Sequence, residues 1–387
     1  MSARILRLLN DDLNSLDIAK ESASSAQVSD CGLMDEACFH RMIVLERKRT
    51  ERSTKPFLLM LIEGRESLRP VNGTQELLRK LVSVLKNSTR ETDSVGWYET
   101  DGTVGVLFTE VNAADNATMA AILAKIANAL QSQLSADQMA LLDISLYRYP
   151  EEKQPPQRLD HLVLYPDLPR RDAKNRAGHF FKRAIDVIAS ALLLVLLSPL
   201  LLIIVLATKL TSKGPVLFKQ KRIGQYGIPF TFLKFRSMHV NSDSGIHKEY
   251  VSRLISGEKA VHHTGTNGGV YKITEDPRVT AVGRFLRRSS LDELPQLWNV
   301  LVGDMSLVGP RPPIPYEFEC YDIWHRSRVF EAKPGITGLW QVTGRSRTSF
   351  DEMVRLDLRY VKSWSLWLDL KILLQTPRVV FSGDGAY

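Results

Sequence analysis

Two adjacent carboxylates, Asp292 and Glu293, sit in a cationic stretch of the sequence. Arg284, Arg287 and Arg288 precede them in Gly283-Arg284-Phe285-Leu286-Arg287-Arg288-Ser289-Ser290-Leu291-Asp292-Glu293, and Arg278 lies just upstream. Arginine forks match the oxygens of a phosphate, and a helix N-terminus adds main-chain donors to such a site. The spacing Ser290-x-x-Glu293 predicts a capping box that opens a helix. The two carboxylates then have two readings. They could cap that helix and complement its dipole, or one of them could hold Mg²⁺ or attack phosphorus. Residue types and spacing leave both open.

Three further segments carry cations on constrained backbone. Arg311 stands between prolines in Pro310-Arg311-Pro312, which fixes the chain on both sides of it. Arg345 ends a glycine-punctuated stretch, Lys333-Pro334-Gly335-Ile336-Thr337-Gly338 to Gly344, that lacks P-loop spacing. Lys234 opens Lys234-Phe235-Arg236-Ser237-Met238, where alternation with Phe230, Phe232 and Phe235 fits a strand or an interface, with cations between aromatics. Near the C-terminus, Trp364 and Trp367 among leucines and lysines fit an interfacial helix or a packed core helix equally.

Whole-chain chemistry narrows the partners. The net charge of +8 over 387 residues asks for an anionic partner. No helix-turn-helix, zinc or RRM pattern points to nucleic acid. Three scattered cysteines exclude a disulfide framework. His262-His263 has no partner ligands at zinc spacing and reads as loop. A mean hydropathy of -0.13 excludes a multi-span protein. One segment departs from that average: Val187 to Thr208 carries no charge, and as a straight helix it would rise roughly 33 Å, about the bilayer hydrocarbon thickness. It lies mid-chain, unlike a signal peptide, and the residues before it are expected to stay cytoplasmic. Lys182, Arg183, Lys209 and Lys213 place cations on both flanks, which draws both ends to the cytoplasmic face. Ser198-Pro199 sits at the middle, where proline breaks the helix and the serine hydroxyl can take up a freed carbonyl. A helix that enters, bends and returns fits both facts; a kinked spanning helix is the alternative.

The elements around these motifs divide the chain. Residues 1–40 read as one short helix and a flexible polar arm, and 41–150 as a small domain ordered strand, helix, hairpin, helix, strand, an α+β sandwich. Its pieces are Phe57 to Ile62, Glu76 to Lys86, the hairpin Ser94 to Trp97 with Val104 to Phe108, Ala113 to Leu134, and Leu142 to Tyr147. Residues 151–178 read as an extended, proline-rich and basic linker. Residues 179–387 carry the chemistry, with the membrane helix over 184–208. The polar stretch Ser242 to Glu275 is a candidate mobile lid.

Two resemblances follow. The order of elements over 41–150 resembles the diguanylate cyclase (GGDEF) domain in degenerate form: Tyr98-Glu99-Thr100-Asp101-Gly102 stands at the signature turn and Glu63-Gly64 where the family places a metal-binding aspartate. This implies a non-catalytic regulatory or dimerising module, and so a homodimer as one partner. The region from Phe180 to Gly383 resembles the bacterial sugar transferases, monotopic polyprenyl-phosphate phosphoglycosyl transferases. The resemblance is carried by Lys182-Arg183-x-x-Asp186, Ser198-Pro199, Lys234-Phe235-Arg236-Ser237-Met238, Leu291-Asp292-Glu293-Leu294-Pro295, Pro310-Arg311-Pro312 and Pro334-Gly335-Ile336-Thr337-Gly338. It implies a re-entrant helix at the bacterial inner membrane with both domains facing the cytoplasm. It also implies transfer of a sugar phosphate from a UDP-sugar to undecaprenyl phosphate, initiating polysaccharide synthesis. Asp292 would be the nucleophile and lie against Mg²⁺, Glu293 the second carboxylate, and Arg287, Arg311, Arg345 and Lys234 would surround phosphate. A membrane-tethered nucleotide-sensing regulator without catalysis is the competing function.

Overall fold

Six consecutive apolar residues, Phe57 to Ile62, can be satisfied only where a strand is covered on both faces. The computed structural model puts them there. It describes residues 33–64, 74–100, 102–111, 116–151, 159–169, 175–239, 278–343 and 348–382, with single positions 248, 252 and 255. Contacts divide the chain into a first unit, Met1–Glu151 with His161–Lys174, and a second that holds Asn175–Tyr387.

In the first unit, strands β1 (Phe57–Gly64), β2 (Ser94–Glu99), β3 (Thr103–Phe108) and β4 (Leu142–Tyr149) form an antiparallel sheet in the order β2-β3-β1-β4. Leu58, Met60 and Ile62 point to one face and meet helices α2 (Thr74–Ser88) and α3 (Asn116–Gln133) through Leu81, Leu85, Ile126 and Leu130. The expected order of strand, helix, hairpin, helix and strand is present, with a short helix α4 (Ala136–Ala140) before β4.

Two features differ from expectation. A helix longer than the short one expected before residue 40, α1 (Glu36–Ser53), crosses the boundary drawn there. Its buried stripe is Phe39, Ile43, Glu46, Arg47 and Thr50, three of them polar, so hydropathic periodicity is faint. Its N-cap, Asp35 accepting from the Cys38 N–H at 2.6 Å, is the local signal that marks it. The second difference concerns the proline-rich linker. Of its described residues, 176–178 already belong to a helix, and the stretch 159–169 is not extended. It forms a 3₁₀ turn, Leu159–Leu164, and buries Tyr165 and Leu168. Arg47 of α1 explains this: it pairs with Asp167 at 2.6 Å and lies over the Tyr165 ring at 4.3 Å. The Tyr98 hydroxyl adds a bond to the Val163 carbonyl at 3.0 Å. The basic run 170–174 lies outside the described residues, as do the arm over 1–32 and Asp101.

The second unit starts with α5 (Arg176–Leu196) and α6 (Ser198–Thr211), bent by 62° across Leu197. Pro199 falls in the first turn of α6, where its missing N–H is no loss. The Ser198 hydroxyl donates to the Val195 carbonyl at 2.7 Å, as its position suggested. No single helix among the described residues is long and apolar enough to cross a membrane, but this bent pair together has the length and composition. Ile188, Leu192, Val195, Leu202, Ile203, Leu206 and Leu210 along it are all largely exposed. A hairpin follows, β5 (Leu217–Ile223) with β6 (Pro229–Phe235). The remainder is mostly helical: α7 (Ala281–Arg288), α8 (Gln296–Val302), α9 (Pro315–Glu319), α10 (Ile323–Phe330), α11 (Leu339–Thr343), α12 (Phe350–Lys362) and α13 (Leu366–Ser382). Among them β7 (Ser306–Val308) and β8 (Gly335–Thr337) pair in parallel. The lid expected over Ser242 to Glu275 and the pair His262-His263 lie outside the described residues, apart from positions 248, 252 and 255. In α13, Ile372 is core, whereas Trp367 and Leu374 are exposed.

The paired glycines Gly96 and Gly105, opposite each other on β2 and β3, leave room for the Phe39 ring of α1; a Cβ on Gly105 would come 2.3 Å from that ring. Gly105→Ala is expected to destabilise the first unit by about 1–3 kcal/mol through overpacking. Chemical denaturation checks this, and Phe39→Leu in the same chain should recover part of the loss.

Candidate functional site

The acidic pair is positioned by what its flanking helices rest on. Before it, α7 docks on the end of β6 by direct backbone contact. Gly283 packs so closely that a Cβ there would lie 2.0 Å from the Ser237 carbonyl oxygen. Thr280 caps this helix, accepting from the Gly283 N–H at 2.9 Å, and its own N–H donates to the same Ser237 carbonyl at 3.0 Å. After the pair, α8 is stitched to β6 by Asn299, whose side chain accepts from the Leu233 N–H at 3.1 Å and donates to the Thr231 carbonyl at 2.7 Å. The C-terminus of α8 is held in turn by Arg183, which donates to the carbonyls of Val300 and Leu301 at 2.6 and 2.8 Å.

Between the two helices the chain departs from the expected capping box. Ser290 makes no side-chain cap; it sits in the left-handed region at φ 56°. Leu291–Glu293 form a single 3₁₀ turn, and α8 begins only at Gln296, behind Pro295. Proline has no N–H to offer a cap and favours the first turn of a helix, so it displaces the start downstream. The dyad therefore stands on a tight turn between helices instead of at a helix N-terminus. Leu291 and Leu294 anchor that turn by packing against Ile204, Phe235 and Leu286. Asp292 is 5% exposed, whereas Glu293 is more open and approaches Arg311, with Nη1 to Oε1 at 3.9 Å.

Cations surround the turn. Lys234 on β6 is pushed down to about 8 by burial; Asp292 and Glu293 oppose that shift, and Arg222 and Arg311 add to it. Arg222 on β5 is likewise pushed down, to about 10, by burial and then by Arg311, with Glu317 and Glu293 opposing. Its guanidinium lies over the Phe232 ring at 4.8 Å and donates to the Pro312 carbonyl at 2.7 Å. Of the residues expected around phosphate, Lys234 and Arg311 are thus brought to the acidic turn. Arg287 occupies the last turn of α7, the helix that feeds it, and is half-buried. Arg345 lies outside the described residues. Ser198 and Pro199 stand at the helix break and act on its geometry.

Arg222 carried no assigned role in the sequence, though it shares a strand face with Gln220 by the period of two, and its Nε donates to that glutamine at 3.0 Å. Other motif cations turn out to hold backbone. Arg236 caps the end of α6, donating to the carbonyls of Lys213 and Ser212 at 3.0 and 2.8 Å. Lys182 donates to Asp369 at 2.6 Å and to the Val308 carbonyl at 3.0 Å, while Asp186 accepts from the Leu307 N–H at 2.9 Å.

The arrangement suits a polyanion. Two neighbouring carboxylates with phosphate oxygens and water make the kind of ligand set Mg²⁺ takes. Among the described residues no group of three or more His, Cys, Asp or Glu converges, so a divalent ion here would draw its remaining ligands from substrate and solvent.

Comparison with known proteins adds the following. The profile of the family described as "Bacterial sugar transferase" matches residues 177–383. The chain is 45% identical over 215 residues to an undecaprenyl-phosphate galactose phosphotransferase of Salmonella typhimurium, covering 55% of this chain and 43% of that protein. It is 44% identical over 217 residues to a UDP-glucose:undecaprenyl-phosphate glucose-1-phosphate transferase of Caulobacter vibrioides, covering 53% and 72%. It is 41% identical over 212 residues to the exopolysaccharide production protein ExoY of Rhizobium meliloti, covering 54% and 89%. The chain spans less than half the length of the Salmonella relative and of the galactosyl transferase CpsE of Streptococcus agalactiae. A diguanylate cyclase protein from Thermotoga maritima covers 31% of this chain at 22% identity and a TM-score of 0.25, too low to place the first unit in a fold family.

The lowered Lys234 gives a pH test with a definite sign. Its folded value lies below the ordinary 10.5, so the charge is present below about 8 and shed above it. A bound anion gains from the charged form, so affinity for UDP should be full below pH 8 and decline as pH rises through it. Calorimetric titration at pH 7 and pH 9 should show several-fold weaker binding at the higher pH. Lys234→Met should bind weakly at both and lose the difference.

Proposed function

This chain belongs to the bacterial sugar transferase family, and on that premise we propose that it transfers a sugar 1-phosphate from a UDP-sugar to undecaprenyl phosphate, releasing UMP, in the first step of building a bacterial polysaccharide. The observation that carries the proposal is the Asp292–Glu293 turn, held between two docked helices with Lys234, Arg222 and Arg311 around it.

The reaction would run in two steps. An oxygen of the Asp292 carboxylate attacks the phosphorus that bears the sugar; the bond from that phosphorus to the UMP oxygen breaks, and UMP leaves with the electron pair. A sugar-phosphoryl-aspartate remains. An oxygen of the lipid phosphate then attacks the same phosphorus, the bond to Asp292 breaks, and the carboxylate is restored. A carboxylate nucleophile divides one difficult exchange into two easier ones. Phosphoryl transfer needs charge neutralisation and in-line positioning above all. Lys234 and Arg311, with Arg287 and Arg345, would supply the neutralisation by binding the diphosphate. Mg²⁺ bound by Asp292 would add to the neutralisation of diphosphate charge. Glu293, nearer solvent and paired with Arg311, is read as the second ligand or proton handler.

The bent α5–α6 pair supports a re-entrant membrane helix: both flanks are basic and many of its apolar side chains, from Ile188 to Leu210, face outward. Phe285 on α7 and Trp298 and Val302 on α8 are also largely exposed, on the two helices that bracket the acidic turn. Apolar side chains there would set the turn at headgroup height, where a lipid phosphate can reach it. This favours attachment to the cytoplasmic membrane with both units on the cytoplasmic side. The first unit is read as a degenerate cyclase-like module that regulates or dimerises the enzyme, because Glu63 and Gly64 replace a metal-binding aspartate at the end of β1.

The test is release of UMP without lipid from a panel of UDP-glucose, UDP-galactose and UDP-N-acetylhexoses. A burst of UMP, with a phosphosugar adduct on Asp292 by mass spectrometry, is the expected result. Asp292→Asn should lower release by at least about a thousandfold, as removal of a nucleophile does. Equal activity in that variant would remove Asp292 from the mechanism. UDP-sugar binding with no UMP release would favour the non-catalytic regulator.

A further inference from the structure

Three of the four residues Pro310, Arg311, Pro312 and Pro313 have no N–H, so this loop cannot fasten itself by turn bonds of its own. Each of its four carbonyls is instead held by a donor from another element. Pro310 accepts from the Gly335 N–H at 2.9 Å and Pro313 from the Ile223 N–H at 2.9 Å. Pro312 accepts from Arg222 at 2.7 Å, and Arg311 itself accepts from Nη2 of Arg328 at 2.7 Å. Arg328 belongs to α10 and is 2% exposed; its Nη1 pairs at 2.9 Å with Asp357 of α12, which is 1% exposed. A buried ion pair adds little stability over an apolar pair of the same volume. What this one adds is a third partner, the Arg311 carbonyl, which no apolar side chain could hold. A planar fork can serve a carboxylate and a carbonyl at once, whereas a lysine offers one ammonium to both.

We propose that Arg328, seated by Asp357, is a positioning residue: it fixes the main chain of Arg311 so that the Arg311 guanidinium is aimed at the acidic turn and at a diphosphate bound there. The assignment rests on reading Arg311 as a diphosphate ligand. In this role Arg328 acts only through Arg311.

The experiment is a double-mutant cycle on the full chain in detergent, titrated with UDP in the presence of Mg²⁺. Arg328→Lys and Arg311→Ala are each expected to weaken UDP about tenfold, and the double variant to bind no more weakly than Arg311→Ala alone, the non-additivity of coupled neighbours. Where UMP release is followed, Arg328→Lys should raise KM for the UDP-sugar and leave kcat within about threefold, the sign of lost ground-state binding. Losses that multiply to about a hundredfold, or wild-type affinity in Arg328→Lys beside a weakened Arg311→Ala, would overturn the positioning role and leave the Arg311 reading intact. Unchanged affinity in Arg311→Ala would remove both. If Arg328→Lys does not fold, Asp357→Asn takes its place with the same expectations. Failure of both variants to fold makes the pair structural and ends the proposal.

Discussion

A guanidinium taken out of water must still place its N–H groups on acceptors. In the second unit main-chain carbonyls meet much of that requirement, beside side chains such as Asp357, Gln220 and Ser212. Arg183 takes the end of α8, Arg236 the end of α6, and Arg222 and Arg328 the proline loop. Helix C-termini present carbonyls without intrahelical partners, and a loop of prolines presents carbonyls without matching donors. The buried arginines are therefore less a source of binding charge than a set of rivets that join helix ends and loops to one another. The acidic turn is stable in its position because the elements on either side of it are riveted in this way.

The same fact refines what the charge excess means. The net charge of +8 asks for an anionic partner, but several of the cations are spent internally. Lys182 and Asp186 fasten α5 to the parallel pair of strands and to Asp369. The strings that carry the family resemblance are accordingly mixed. Within Lys234-Phe235-Arg236-Ser237, the lysine faces the acidic turn, the arginine caps α6, and the serine carbonyl seats α7. One string of residues thus combines a cation at the acidic turn with two mechanical contacts.

The parts of this architecture legible in the sequence are those set by local steric rules. The break at Leu197 follows from Pro199, and the hairpin of β2 with β3 and the strand β1 follow from runs of apolar and β-branched residues. The parts that were not legible depend on partners distant in sequence. Helix α1 buries Arg47 only because Asp167 and Tyr165 return to meet it. The segment over 159–169 packs for the same reason. The capping box failed because Pro295 and the left-handed Ser290 outweigh a spacing match that held only four residues in view. Arg222 was passed over since nothing in its neighbourhood tells an inward strand arginine from an outward one.

The contact of Gly283 with Ser237 bears on precision. Where two elements meet through side chains, their separation inherits the spread of rotamers and their thermal hopping. Here the helix leading to the dyad meets the strand bearing Lys234 atom to atom along the main chain, with no rotatable bond between them. The main chain that carries the dyad is then held against the main chain that carries Lys234 without an intervening rotamer, and only the last bonds of the carboxylates and of the lysine itself are left to move.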